Sequence, residues 1–497
     1  MASSNDPQDA PPIVDEILFA SARQQLAALE DKEISAVELL DLELAQVARF
    51  NPTYNLVVTL DEERARAVAE HTDQQRATGQ ALGPLAGLSL TVKDSLMTAG
   101  CRTTSGAPEL SDFVPDVDAA TVAKLRAAGA GLYGKTNLPY YANDVQSYNE
   151  VFGTSNNPWD PTRTVGGSSG GSAGSVAAGF SPLEVGSDIA GSIRNPAGMC
   201  GVVGHKPSYG IVSARGQIPG PPGTLTLADL AVVGPMARTV GDCVLALELL
   251  AGPDDWHDSA WSLSLPAPRA TKPSELRVAV MATDPSCPVD PEIEAAIHAV
   301  AAELEASGAT VSHTARPEGF DFAKSERTFW NLLGGALAGS WSLLEIEAMA
   351  ERLKQGELVA GDLGVVGSTQ RHREWLTNNE RRLQIRLRWK QFFEGWDVVL
   401  APIAPTVAYP HDHSSPQSMR TVLVAGQERN YMELMSWMGV FGMAYLPATA
   451  LPIGLHSTGL PIGMQVVGPY LNDLTALAAA QMVEDAVNTT FRPPLLG

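Results

Sequence analysis

The sequence predicts an α/β fold in which a β-sheet lies between layers of helices, built as one large body. Two observations carry this. Segments with apolar residues at helical spacing alternate along the chain with short strand-like runs, the pattern of a sheet covered by helices. The 497 residues, 44% of them hydrophobic, exceed the usual size of one compact domain and suffice for a large core, with room for a subsidiary lobe.

The elements follow in order. Residues 1–80 are expected to form a helical N-terminal layer, since from Ile13 to about Ala77 apolar side chains recur at helical spacing with charges between them. Residues 81–497 are expected to form the α/β core. Its first strand is PLAGLSLTVKDSL, where Leu88, Leu90 and Val92 alternate before a polar exit at Lys93 and Asp94. Asp118 to Leu132 opens with a helix cap and closes on a glycine stop, and LYGKTNLP follows as a short strand and turn. The alternation continues through LEVGSDIAGS and the long helix GDCVLALELLAG. Gly252 to Pro273 reads as a surface crossing. LRVAVMAT, PEIEAAIHAVAAELEASG and ATVSH then read as strand, helix and strand. A mostly helical segment spans about 320–395, with Trp330, Trp341, Trp375 and Trp389 as packing anchors. WDVVLAPIAP and LPIGMQVVG return to strands, and LTALAAAQMVEDAV is the closing helix.

Composition narrows the function. A formal net charge of −22 should repel a phosphate backbone, so no nucleic-acid partner is expected. The start, MASSNDPQDAPP, has no basic segment followed by an apolar stretch, and no apolar run reaches the roughly eighteen residues of a membrane span. A cytoplasmic protein without membrane contact is the expectation. Cys101, Cys200, Cys243 and Cys287 form no CxxC pair and read as buried free thiols. There is no HExxH, and His411-Asp412-His413 sits in a proline-flanked loop, so neither metal nor cofactor is expected.

The most unusual stretch is VGGSSGGSAGS, Val165 to Ser175. It is no phosphate-binding loop, because it lacks the lysine that meets the phosphates. It is no linker, because Val176-Ala177-Ala178 continues it into a small-residue helix. Gly166 to Gly170 formally matches the GxSxG nucleophile elbow, but Asp160 to Thr164 before it is turn chemistry where that motif needs a strand, and a partner histidine would have to come from His411 or His413. Shortly after it, GSDIAGSIRNPAGMCGVVGHKP sets Ser192 directly behind Ala190-Gly191. Small residues there let several backbone N–H groups turn toward one point, as an oxyanion hole requires.

Together GGSSGGSAGSVAAG, SPLEVGSDIAGSIRNPAGMCGVVGHKPS and TVKDS resemble the amidase signature family of serine hydrolases, and GKTNLP, NPWDPTR, VVGPMARTVGD and DVVLAPIAPT match its flanking segments. The resemblance covers nearly the whole chain, with the signature region at about 160–210. It implies a central mixed β-sheet flanked by helices on both faces in a single large domain. It also implies a catalytic triad of Lys93, Ser168 held by a cis peptide after Gly167, and Ser192 as nucleophile. The relay runs from Ser192 through Ser168 to a neutral Lys93 amine, the serine–lysine form of triad logic. Burial at the end of the apolar strand would favour the neutral amine, and Asp94 should point to the opposite face. The family's oxyanion hole falls on Ile189, Ala190, Gly191 and Ser192. Tyr140, Ala142 and Asn143 match residues bordering the pocket, Asp188 and Arg194 tie down the loop around Ser192, and Lys206 reads as structural. One departure is Ala190, where the family has glycine; its N–H serves only if φ there is negative.

No arginine cluster suggests an anionic substrate. The expected function is therefore hydrolysis of neutral amides, anilides or carbamates, as in the family's aryl acylamidase and urethanase branch. A small-molecule amide or carbamate is then the only partner, and the protein a monomer or homodimer. Met435 to Pro447 and Gly216 to Gly223 are candidate apolar walls. The alternative is the amidotransferase component of a tRNA-dependent complex, which shares the triad but works with partner chains and an ammonia channel.

Overall fold

The computed structural model describes residues 12–218, 223–487 and 491–494. The chain opens with α1 (Pro12–Phe19), α2 (Ala22–Glu30) and α3 (Ala36–Tyr54). Ser21 and Ser35 each close a reciprocal capping box with the Gln or Glu three residues on, which fixes where α2 and α3 begin. The N-terminal layer is not all helix. Val57–Leu60 forms β1 before α4 (Glu62–Ala77), because β-branched residues in VVTL pair antiparallel with β3 (Gly131–Thr136). Helical periodicity on both sides hid those four residues. The opposite edge of β3 takes β2 (Ser89–Lys93) in parallel, giving a sheet ordered β1-β3-β2.

Every residue of β2 is buried, so the expected alternation with a polar exit is corrected: Lys93 and Asp94 are fully enclosed. The helix before β3 is shorter than the sequence suggests. This α5 (Ala120–Ala127) has no side-chain cap, because the Asp118 carboxylate accepts instead from Ala99 N (2.7 Å) and Arg126 Nη1 (2.9 Å).

After the two-residue strands β4 (Tyr148–Asn149) and β5 (Gly153–Thr154), the glycine-serine stretch enters α6 (Gly170–Ala177), so half of it is helix rather than loop. Then come β6 (Leu183–Asp188), α7 (Arg194–Cys200), β7 (Val203–Lys206), β8 (Val232–Ala237) and α8 (Val240–Leu250). The C-terminal half adds β9 (Arg277–Val280), α9 (Pro291–Ala306) and β10 (Thr310–Ser312). A helical stretch follows: α10 (Phe322–Leu337), α11 (Leu343–Gln355), α12 (Val365–Ser368) and α13 (His372–Gly395). Within it Trp330 and Trp389 are buried, while Trp341 and Trp375 are only half-buried. The chain ends through β11 (Val398–Pro402), the hairpin β12 (Thr421–Val424) and β13 (Gln427–Asn430), α14 (Ser436–Gly442), β14 (Ala448–Leu455), β15 (Pro461–Val467) and α15 (Asp473–Val487).

The main sheet is mixed and runs β10-β9-β11-β15-β14-β7-β8-β6, parallel over its first three strands and antiparallel over the rest. Neighbouring residues of β7 show that helices cover both faces. A Cβ at Gly204 would meet Ile193 and Ala197 around α7, whereas His205 on the other face reaches Asp473 of α15 at 3.2 Å. The two sheets meet where β2 lies against β6: Thr91 hydrogen-bonds to Glu184, and its hydroxyl lies 3.1 Å from that of Ser175. The strand ends carrying Lys93 and Asp188 thereby come to one place. All four cysteines are buried and unpaired.

Candidate active site

Lys93 closes β2 with its amine wholly enclosed, and Nζ donates to the hydroxyls of Ser168 (2.7 Å), Ser169 (2.9 Å) and Ser187 (2.9 Å). No carboxylate touches it, and Asp94 faces elsewhere, accepting from Thr104 N (3.0 Å) and Thr104 Oγ1 (2.6 Å). Burial lowers the lysine from its ordinary 10.5 to about 7, against an upward pull from Asp188 and Glu184. The surrounding hydroxyls suit a neutral amine. Ser169 directs its own proton to Ser187 O (3.3 Å) and so accepts from Lys93, which leaves Ser168 free to donate into the nitrogen lone pair.

The Gly167–Ser168 peptide is cis. Gly167 is required by close approach, since a Cβ there would lie 2.7 Å from Gln146 N and 2.8 Å from Gln146 O. The glycine-serine stretch faces the loop carrying Ser192: Ser169 N donates to Ser192 O (3.1 Å) and Gly167 N to Asn195 Oδ1 (3.3 Å). Ser192 itself is buried at the junction between β6 and α7, and its hydroxyl is not hydrogen-bonded to a described residue.

Asp188 builds that junction. Its carboxylate accepts from Gly191 N (2.8 Å) and Ile193 N (3.2 Å), and Arg194 clamps it through Nε and Nη2 at 3.0 Å each, both side chains fully buried. Burial pushes the Asp188 carboxyl up, but Arg194 more than offsets this and holds it below the usual carboxylate range. The remaining Arg194 nitrogen, Nη1, donates to Met438 O and Gln465 Oε1, both 3.0 Å away.

This arrangement revises the expected oxyanion hole. The Gly191 N–H is already taken by Asp188, leaving the N–H groups of Ile189, Ala190 and Ser192 with no protein acceptor among the described residues. Gly191 has φ +116, which is why glycine is needed there, and Met438 Sδ fills the place a Cβ would take. Ala190 is not among the residues with positive φ, so its methyl group brings no left-handed strain.

Other expected residues lie elsewhere. Tyr140, Ala142 and Asn143 form a short turn after β3, with Tyr140 half-exposed and bonded to Glu109 (3.0 Å) and Asn143 O accepting from Gln417 (2.7 Å). Among the described residues no hydrogen bond joins this turn to Ser168 or Ser192. Neither His411 nor His413 touches either serine; His413 stacks on Tyr148 with ring centroids 3.7 Å apart. Of the candidate walls, Met435 to Pro447 reaches the site through Met438, whereas residues 219–222 of the other lie outside the described residues. Lys206 donates to Pro207 O and Leu446 O at 2.9 Å, a structural placement. Far from the site, Asp290, Glu292 and His456 bring three ligand atoms within 4.8 Å of one another, but Glu292 is already held by Ser457 N (2.8 Å) and Oγ (2.6 Å). Ser169 and Ser187 escaped sequence reasoning because nothing in a run of serines marks which hydroxyls face the lysine.

The profile of the amidase family matches residues 38–477. The chain is 33% identical to a glutamyl-tRNA(Gln) amidotransferase subunit of Synechococcus sp. (strain CC9605) over 503 aligned residues, 96% of this chain and 98% of that protein. The solved structure of 6-aminohexanoate cyclic dimer hydrolase complexed with substrate superposes with a TM-score of 0.77 at 30% identity, over 97% of this chain and 100% of that one. A bacterial aryl acylamidase of the amidase signature enzymes reaches a TM-score of 0.78 over 94% of this chain and 96% of that one; its 23% identity is a likeness of fold alone.

These findings overturn two expectations. Near-full-length relatives named as amidotransferase subunits replace the reading of a stand-alone hydrolase of neutral amides, anilides or carbamates. The same name, with its tRNA and its subunits, overturns the expectation of a small-molecule substrate as sole partner and of no nucleic acid. The physical reason is plain. Acyl-enzyme formation is the same step whether the released amine escapes or is passed on, so the triad does not distinguish the two. A charge of −22 speaks against RNA binding by this chain by itself, not by an assembly in which another chain makes the contact. No helix among the described residues is long and apolar enough to cross a membrane.

Proposed function

Because the chain belongs to the amidase family, we propose that it is the amide-cleaving subunit of a cytoplasmic, tRNA-dependent amidotransferase, the role its near-full-length relatives carry in their name. In this reading Ser192 Oγ attacks a primary carboxamide while its proton passes to Ser168, whose own proton moves to Lys93 Nζ. The free N–H groups of Ile189, Ala190 and Ser192 receive the developing oxyanion. Lys93 then returns the proton through Ser168 to the leaving nitrogen, which departs as ammonia for use by a partner subunit. Water opens the Ser192 ester and restores the hydroxyl. Tyr140, Ala142 and Asn143 border the pocket, and Asp188 with Arg194 holds the nucleophile loop.

The observation that carries the chemistry is the enclosed Lys93 amine 2.7 Å from the Ser168 hydroxyl, with no carboxylate in contact. The partner role rests on identity to the relatives along almost their whole length. Substituting this chain for its counterpart in a cyanobacterial complex tests it. Conversion of glutamyl-tRNA(Gln) to the amidated form supports the role. Rapid turnover of p-nitroacetanilide by the chain alone, with no amidation in the complex, removes it.

A further inference from the structure

A buried ion pair far from Lys93 in sequence underlies the loop that carries Ser168. Arg420 Nη1 donates to Asp144 Oδ2 at 2.7 Å, with both side chains 2% exposed. Tyr431 OH donates to Asp144 Oδ1 at 2.6 Å. A buried pair is poor evidence for stability, because desolvating both charges offsets most of their attraction; its best-attested use is to specify one arrangement.

What Asp144 specifies is the path of residues 144–147. Tyr409 OH donates to Val145 O (3.3 Å), and the Gln146 side chain exchanges two hydrogen bonds with the Asp412 backbone (2.6 and 3.1 Å). The glycine-serine stretch is laid on this path. Ser147 Oγ donates to Gly166 O (3.0 Å) and accepts from Gly170 N (3.1 Å), and Gly167 approaches Gln146 so closely that no Cβ fits between them. Ser168 is therefore held on both sides by residues that rest on the 144–147 segment.

We propose that the Asp144–Arg420–Tyr431 clamp is a positioning device for Ser168, setting its hydroxyl between Lys93 and Ser192. This rests on the relay reading above. The clamp touches no reacting atom. It acts through the 144–147 backbone, and loosening it displaces Ser168 while Lys93 stays enclosed by β2, β3 and β6.

The test is the rate at which a fluorophosphonate probe labels Ser192 between pH 6 and 9, followed by intact mass, in wild type, Arg420→Lys, Asp144→Asn and Tyr431→Phe. Expected is a plateau lowered about tenfold to a hundredfold, as for a displacement near 1 Å, with the midpoint of the pH profile unchanged because Lys93 keeps its surroundings. Arg277→Lys, which disturbs the Arg277–Asp397 pair elsewhere, should leave both plateau and midpoint in place. A plateau within twofold of wild type in folded clamp variants overturns the proposal. So does a midpoint that moves upward, whatever the plateau, since that reports general loosening around Lys93. If Arg420→Lys fails to fold, Tyr431→Phe, which removes one hydroxyl, decides alone. Lys93→Met separates the two levels of inference. Wild-type labelling in that variant sinks the relay itself, whereas slow labelling in Lys93→Met with normal rates in the clamp variants sinks only the clamp.

Discussion

The protonation state of Lys93 is the most exposed consequence of the structure. Lowering the amine from 10.5 to about 7 corresponds to about 5 kcal/mol of bias against the ammonium, supplied by burial where no carboxylate makes contact. At pH 7 about half the molecules then carry a neutral base, roughly a thousandfold more than an unshifted lysine allows. Labelling of Ser192 by a fluorophosphonate should therefore rise about tenfold per pH step from 5 to 6.5 and level off by about pH 8. Lys93→Arg keeps the charge, and Lys93→Met removes the base. Both should flatten the profile and lower the plateau by about 10² to 10⁴, the range for losing a positioned base. Circular dichroism on the same samples separates lost activation from lost fold. A rate that changes less than twofold between pH 6 and 9, or a Met variant labelled at the wild-type rate, would refute the assignment of Lys93 as the base.

Lys206 is also lowered to about 7 by burial, so between pH 7 and 9 the unfolded chain holds a proton the folded one releases, and stability from this site rises with pH in that window. The stability difference between Lys206→Met and wild type should shift by about 2 kcal/mol toward wild type from pH 7 to 9, read by urea unfolding at both pH values. Gly191→Ala needs φ +116 and space held by Met438 Sδ, so it should lose at least about 1 kcal/mol and most Ser192 labelling; adding Met438→Ala to it should restore packing but not labelling, because the backbone demand remains. Ala190→Gly meets no such demand and should leave the labelling rate within about twofold, at a stability cost below about 1 kcal/mol for the freer chain.

How much of this was legible in the sequence differs by level. The long amphipathic segments announced themselves, because burial of one face imposes a period that composition cannot hide. β1 did not: four residues between helices carry too little pattern, and its pairing with β3 is a tertiary fact. Asp118 looked like a cap and became the partner of Arg126, since a salt bridge and a cap draw on the same carboxylate and only packing chooses between them. At the site, Lys93, Ser168 and Ser192 were legible through the resemblance of their motifs. Their surroundings were not. That Asp188 takes the Gly191 N–H, or that Ser169 and Ser187 complete the lysine's hydrogen bonds, depends on where β2 and β6 end relative to one another. The functional error has the same origin. Sequence motifs report the groups that make and break bonds, and those groups are indifferent to whether the nitrogen they release diffuses away or enters a neighbouring chain. Substrate and partner are decided at surfaces where no bond is broken, and there a charge of −22 argues only about what this chain binds unaided.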